Sequence, residues 1–197
     1  ISADGEGTSE DAVKAIDFAI KHKADVMSNS WGATEDDAII RDAITAARDA
    51  GIFFVVAAGN DSTDNDTTPT YPASYDLENI ISVGAHDSAG RRASFSNYGK
   101  RSTHVFAPGV NILSTYADDS YKKLSGTSMA TPFVSGIVGL YLSHNKLAQA
   151  DRVEALSGLQ MNKIRGEMIA NSLQSNELNN MSQSNGRLDA FRLLSIH

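Results

Sequence analysis

The chain has 197 residues, enough for one domain with a real core, and its 41% hydrophobic and 21% charged residues are ordinary for a soluble globular protein. A net charge of −7 argues against electrostatic binding to nucleic acid or to an anionic membrane, because both demand a basic face. Cysteine is absent, so neither disulfides nor zinc–thiolate sites can brace the fold.

Ile1 to Gly5 contains no basic segment followed by an apolar one, so no secretory signal is expected there. The missing initiator Met, with a helix opening within ten residues, reads as a chain entered midway. Thr8 and Asp11 have capping-box spacing, and Val13, Ile16, Ala19 and Ile20 follow at helical spacing. Ala24 to Ser30 reads as a short strand that ends in the turn Asn29-Ser30-Trp31-Gly32. A second helix is expected over about Glu35 to Ala50, with Ile39, Ile40, Ala43, Ile44 and Ala47 on one side and Gly51 as its stop. Ile52 to Ala58 is a continuous apolar strand, of the kind buried on both faces of a parallel sheet.

Residues 59–70 form a long polar loop; Ile80 to Ala85 is another buried strand and Thr103 to Ala107 a short one ending at Pro108-Gly109. The longest apolar run, Met129 to Leu142, is short for a membrane span and is interrupted by Pro132, Ser135, Gly136 and Gly139. It reads as a buried core helix over 128–143. The remainder is expected to be helical and amphipathic, with Asn/Ser-rich breaks near 171–186. Alternating helices and buried strands make this an α/β domain, with a mainly parallel sheet between helices on both faces. Functional residues in such sheets lie just beyond the carboxyl ends of strands. That points to Ser30-Trp31-Gly32, to Gly59-Asn60, and to the segment before the central helix.

A serine in the first turn of a buried helix, such as Ser128, meets unpaired backbone N–H groups and the positive end of the helix dipole. Both favour negative charge developing on a substrate oxygen beside its hydroxyl. Gly126 leaves room for a substrate backbone to approach. Taken alone, Thr127-Ser128 would be an ordinary helix cap. The flanking residues argue otherwise. Gly126-Thr127-Ser128-Met129-Ala130-Thr131-Pro132 resembles the serine signature of the subtilisin-like peptidases, the subtilases. Asn29-Ser30-Trp31-Gly32, Ala57-Ala58-Gly59-Asn60, Tyr71-Pro72-Ala73, Ser94 to Gly99, Ala107-Pro108-Gly109 and Gly186 to Ala190 resemble further segments of that family, in the same order.

The resemblance implies a serine endopeptidase with Ser128 as nucleophile and Asn60 as oxyanion donor, aided by the Ser128 N–H. Ser30, Trp31 and Gly32 would hydrogen-bond an extended polypeptide substrate as an added strand, with Trp31 facing a side-chain pocket. Ala58, Gly59, Gly126 and Thr127 would border the substrate, and Thr70 and Ala73 would floor a pocket for a small or medium side chain. The family also implies a histidine in a His-Gly-Thr-His motif and an aspartate ending a strand. Neither pattern is present: His22, His86, His104, His144 and His197 all lack the following Gly-Thr, and Asp4-Gly5 follows no strand.

Residues 1–197 therefore read as the C-terminal part of a subtilase catalytic domain without its N-terminal third, inactive alone and completed by the Asp/His segment. An exposed sheet edge, open to self-association, is expected. Asp61, Asp64 and Asp66 are candidate ligands of a structural calcium. Carbonyls after Tyr71-Pro72-Ala73 and near Tyr75 resemble a weak cation site of some relatives. No cofactor is required for the chemistry, and the family implies secretion or a cell-envelope location. A pseudopeptidase that binds peptides or partners is the competing reading, against which the intact Ser128 and Asn60 argue; an autolytic piece that complements an N-terminal fragment is a third.

Overall fold

The structure, a computed structural model, describes residues 7–148, 150 and 154–195; Asp4-Gly5 and His197 lie outside the described residues. Helix α1 spans Ser9–Lys21, capped by Thr8, whose Oγ1 accepts the Asp11 N–H and donates to the Asp11 carboxylate. Strand β1 is Val26–Asn29 and helix α2 is Ala38–Asp49. The second helix starts later than the sequence pattern suggests because Asp37 is its cap, accepting from the N–H groups of Ile39 and Ile40. Strands β2 (Phe53–Ala57), β3 (Ile80–His86) and β4 (Val105–Pro108) follow, then a hairpin of β5 (Ile112–Tyr116) and β6 (Ser120–Leu124). The central helix α3 spans Thr127–His144 and α4 spans Gly158–Ala170. Short strands β7 (Leu173–Gln174) and β8 (Gly186–Arg187) precede α5, Ala190–Leu194.

One expectation is corrected, and one pair of strands appears that the sequence pattern does not mark. The C-terminal remainder is not continuously amphipathic helix: β8 opens the Gly186-Arg187-Leu188 segment, and only Ala190–Leu194 closes as helix. The hairpin gives no apolar/polar alternation because nearly all its residues are exposed on both faces, so no buried stripe marks it.

The main sheet runs β1-β2-β3-β4-β8-β7, parallel throughout except where β7 meets β8. Alternate residues feed two cores. Phe54, Val56 and Ile80 pack on one face with Ile16 of α1 and Ile40, Ile44 and Ala47 of α2. Phe53, Val55, Ile81, Val83, Val105 and Ala107 pack on the other with Val134, Val138 and Leu142 of α3 and Met161 and Met168 of α4. This three-layer arrangement explains why β2 is apolar at every position: neither face meets water. Among the described residues β1 has a hydrogen-bonded neighbour only on its β2 side. Helix α3 leaves Phe133 and Leu140 44% and 57% exposed, seven residues apart on one helix face. No helix among the described residues is long and apolar enough to cross a membrane.

His104 sits at the start of β4 with its Nδ1 accepting the Ser82 N–H at 2.8 Å. Full burial, assisted by the nearby Arg165 charge, pushes its pKa down from 6.5 to about 3. The imidazole is therefore neutral in the folded chain. Above about pH 6.5 folded and unfolded states hold the same proton count at this residue. Between that value and about 3 only the unfolded chain takes up the proton, so stability falls by up to about 1.4 kcal/mol per pH unit. Urea midpoints compared at pH 7.5 and pH 5 are expected to drop for the parent chain and to drop less for His104→Asn, whose Oδ1 can replace the acceptor without titrating.

Candidate active site

Ser128 is the second residue of α3, whose cap Gly126 supplies no side-chain bond. The first N–H groups of that helix therefore face outward without internal acceptors. That of Thr127 donates to Asn60 Oδ1 at 2.9 Å, and the Thr127 hydroxyl donates to the same oxygen at 3.0 Å. Because an N–H can only meet an acceptor, this pair fixes the Asn60 amide with its oxygen toward the helix and its Nδ2 away from it. Among the described residues neither Asn60 Nδ2 nor the Ser128 N–H has a protein acceptor. A Cβ added at Gly126 would lie 3.7 Å from both Asn60 Oδ1 and the Ser128 nitrogen. Asn60 Oδ1 and the Ser128 nitrogen thus border one small volume, which the bare glycine leaves open.

That volume belongs to a cleft of about 260 Å³ bordered by Ser30, Trp31, Gly32, Asn60, Thr70, Thr127 and Ser128. Two reciprocal bonds close its base: Ser30 Oγ donates to the Ser128 carbonyl at 2.9 Å, and Ser128 Oγ donates to the Ser30 carbonyl at 3.4 Å. The second is long and weak, so the hydroxyl is lightly held. Trp31 is half-buried, edge-on to Phe54 at 6.0 Å. The structure thus brings together Ser128, Asn60, Ser30, Trp31, Gly32, Gly59, Gly126, Thr127 and Thr70. It leaves out two residues. Ala58 is fully buried, its N–H donating to Val83 and its carbonyl accepting from Asn65 Nδ2. Ala73 is 1% exposed in the core on the α1/α2 side, so Thr70 alone floors the cleft. The Thr70 methyl would be 3.5 Å from a Cβ at either Gly32 or Gly59, so it fills the gap between the two glycine walls.

Two residues that motif reading treats only as loop and turn hold this geometry. Asn65 and Asn97 are 2% and 0% exposed. Asn97 Oδ1 accepts the N–H groups of Asp61 and Thr63, and its Nδ2 donates to Asn65 Oδ1 and Thr70 Oγ1. All four of its bonding positions are used. Gly59 has φ +112, and a Cβ there would meet Asn97 Nδ2 at 2.4 Å. The only sequence signal was an Asn inside the Ser94 to Gly99 turn, which composition cannot separate from a surface residue.

Among the described residues the three aspartates of the acidic loop do not gather as one group of ligands. Asp66 turns to the 101–102 backbone, accepting from the N–H groups of Arg101 and Ser102 and from Ser102 Oγ. Burial pushes its pKa up, but the Ser102 and Arg101 bonds outweigh that and hold it below the usual carboxylate range. Asp64 caps the Asp66 N–H, while Asp61 is exposed. Among the described residues no three His, Cys, Asp or Glu side chains gather to hold a metal. The Tyr71 and Pro72 carbonyls accept the Ala33 and Tyr75 N–H groups.

No described histidine borders the cleft. His22 is exposed, stacked on Phe18. His86, buried at the end of β3, bonds the Asp87 carbonyl, and burial holds its pKa below the ordinary value. His104 lies at the opposite end of the sheet. His144 ends the helix that Ser128 begins, about 24 Å away at 1.5 Å per residue.

The fold and this cleft define an α/β domain with a candidate nucleophile at a helix N-terminus beside a fixed asparagine amide. Residues 1–186 match the Subtilase family, and the chain belongs to that family. It is 40% identical to Subtilisin DY of Bacillus licheniformis over 154 residues, 78% of this chain and 55% of that protein. It superposes on the prenylagaramide maturation protease PagA with a TM-score of 0.79 at 27% identity, covering 98% of this chain and 70% of that one. A cold-adapted subtilisin-like serine proteinase gives 0.74 at 31% identity, covering 96% and 62%. The chain spans about half the length of the curated relative Subtilisin DY.

Asn97→Ala is expected to strip the Asp61 and Thr63 N–H groups of their acceptor and to cost about 2–4 kcal/mol, measured by urea unfolding. Asn97→Asp keeps the acceptor but turns an oxygen onto Asn65 Oδ1 and buries a charge, so it should cost at least as much.

Proposed function

We propose that this chain is the nucleophile-bearing part of a serine endopeptidase. What supports this reading is that Ser128 and Asn60 border one cleft, with Asn60 Oδ1 bonded to the Thr127 N–H so that Nδ2 is left for another acceptor. Ser128 Oγ attacks the scissile carbonyl carbon while its proton passes to an imidazole base, and the Ser128 N–H and Asn60 Nδ2 hold the resulting oxyanion. Collapse expels the amine, protonated by the same imidazole, and leaves an acyl-enzyme on Ser128. Water, deprotonated by that base, then releases the acid and restores the serine.

The base and its orienting carboxylate come from polypeptide outside these 197 residues, since no described histidine reaches the cleft. That polypeptide covers the free edge of β1. Uncovered, this surface makes the chain marginally stable alone and open to self-association. By family resemblance the whole protein acts on polypeptides outside the cytoplasm, secreted or at the cell envelope. Peptide backbone pairs with Ser30 to Gly32, and the Thr70 methyl restricts the side chain beside the scissile bond to small or medium size.

A fluorophosphonate probe is expected to label Ser128 in the intact protein and to label the 197-residue chain at least about 1000-fold more slowly. Rapid labelling of the chain alone would refute the missing base, and equal inertness of the intact protein would favour a pseudopeptidase. Asn60→Ala in the intact protein should lower kcat by about 100- to 1000-fold, the magnitude measured on removing the oxyanion asparagine of subtilisin, a member of this family. Thr70→Ser removes the methyl and keeps the hydroxyl bonds; kcat/KM is expected to shift several-fold toward substrates one methylene larger.

A further inference from the structure

Pro132 stands inside α3, four residues after Ser128. Proline has no N–H, so the Ser128 carbonyl lacks the donor that would close its helical turn. A side chain from another element fills the position: Ser30 Oγ donates to that carbonyl at 2.9 Å, from 98 residues upstream. Nearby carbonyls are met by hydroxyls of the helix itself, that of Thr127 by Thr131 Oγ1 at 2.9 Å and that of Thr131 by Ser135 Oγ at 3.1 Å. The proline thus opens α3 to an outside donor at the residue that carries the candidate nucleophile.

The same two elements touch a second time through hydroxyls. Ser28 and Ser30 are two apart on an extended chain, so their side chains leave on the same side. Ser135 lies about two helical turns beyond Ser128, and its Oγ donates to Ser28 Oγ at 2.9 Å. The two contacts differ in what they move. That of Ser28 joins two side chains well down the helix. That of Ser30 grips the backbone of Ser128 itself, so a displacement of the turn carries the nucleophile with it. The reverse bond, from Ser128 Oγ to the Ser30 carbonyl at 3.4 Å, is too long to supply this hold.

We infer that Ser30 is a positioning residue for the nucleophile: its hydroxyl stands in for the N–H that Pro132 lacks and locks the Ser128 backbone in register with the turn Ser30 to Gly32. The inference rests on the proposed function, because that turn matters to catalysis as the strand along which the substrate lies. Attack requires Ser128 Oγ to reach one carbon of a peptide held by neighbouring residues, and a misplacement of about 1 Å costs about 100-fold in rate. A substrate strand and a nucleophile carried on separate elements are free to shift against each other. The bond from Ser30 to Ser128 removes that freedom.

The test uses the intact protein, with a peptide substrate and a fluorophosphonate probe measured side by side. Ser30→Ala keeps the backbone groups of the turn and removes the bond to Ser128. On the peptide, kcat is expected to fall about tenfold with KM within about twofold. The probe does not lie along the turn, so its rate of labelling Ser128 should stay within about threefold. Ser135→Ala, which removes the other contact, should leave kcat within about twofold. Adding Pro132→Ala to Ser30→Ala returns an N–H to the Ser128 carbonyl, so the thermal midpoint should rise while kcat stays down. If kcat recovers with the midpoint, the hydroxyl merely satisfies a carbonyl and the positioning role is overturned. A raised KM with unchanged kcat overturns it too, because the hydroxyl then acts on the substrate. So does an equal loss of kcat in Ser135→Ala, or labelling slowed as much as peptide cleavage. If the intact protein neither cleaves peptide nor takes the probe, the peptidase reading fails and the positioning role falls with it.

Discussion

The bond from the Thr127 N–H to Asn60 Oδ1 joins the two halves of the site, and its polarity leaves one arrangement open. Turning the Asn60 amide over would set Nδ2 against an N–H, donor against donor, beside a helix end that already carries positive partial charge. The amide is thereby aimed before any substrate arrives. The same bond satisfies an N–H that the start of α3 could not pair internally, so the constraint that orients Asn60 also caps the helix carrying Ser128. Local stability and placement of the site come from one contact.

That contact holds its geometry only if the Asn60 loop is itself held. Residues 59–70 cross from β2 toward Tyr71 with no regular structure, which ordinarily permits motion. Here Asn97 is buried inside the loop and bonds it at four points, while Asn65 returns a bond to the Ala58 carbonyl at the end of β2. A buried network of this kind rigidifies because each unpaired member would carry a full desolvation cost. Under it lies β2, buried at all five positions between two apolar cores. Rigidity passes from the sheet to the loop and from the loop to the amide.

The opposite side of the cleft is built differently. Ser30 to Gly32 leave the end of an edge strand, and β1 has no described neighbour beyond β2. The antiparallel bridge between Ala33 and Tyr71 anchors this turn, and Trp31 rests on Phe54. One wall of the cleft is therefore braced by the core, and the other stands beside an open edge. This asymmetry suits a domain whose base arrives on additional polypeptide.

The amino-acid sequence alone determined the layer order, the buried strands, the central helix and the positions of Ser128 and Asn60. These rest on local periodicity and short contiguous motifs, and apolar runs such as Phe53 to Ala57 have one stable use in a chain of this class. It also showed that the catalytic histidine pattern is missing. Tertiary structure decided the rest, because the forces act between residues distant in the chain. Asn97 and Asn65 look like loop asparagines until they are buried together, and the three aspartates near 61–66 look like a metal loop until Asp66 turns to Ser102. The β5–β6 hairpin escaped notice because it buries neither face, so no periodic burial marks it. Ala58, between the cleft residues Ala57 and Gly59, is fully buried, and Ala73 packs into the core on the α1/α2 side, placements that only long-range packing decides.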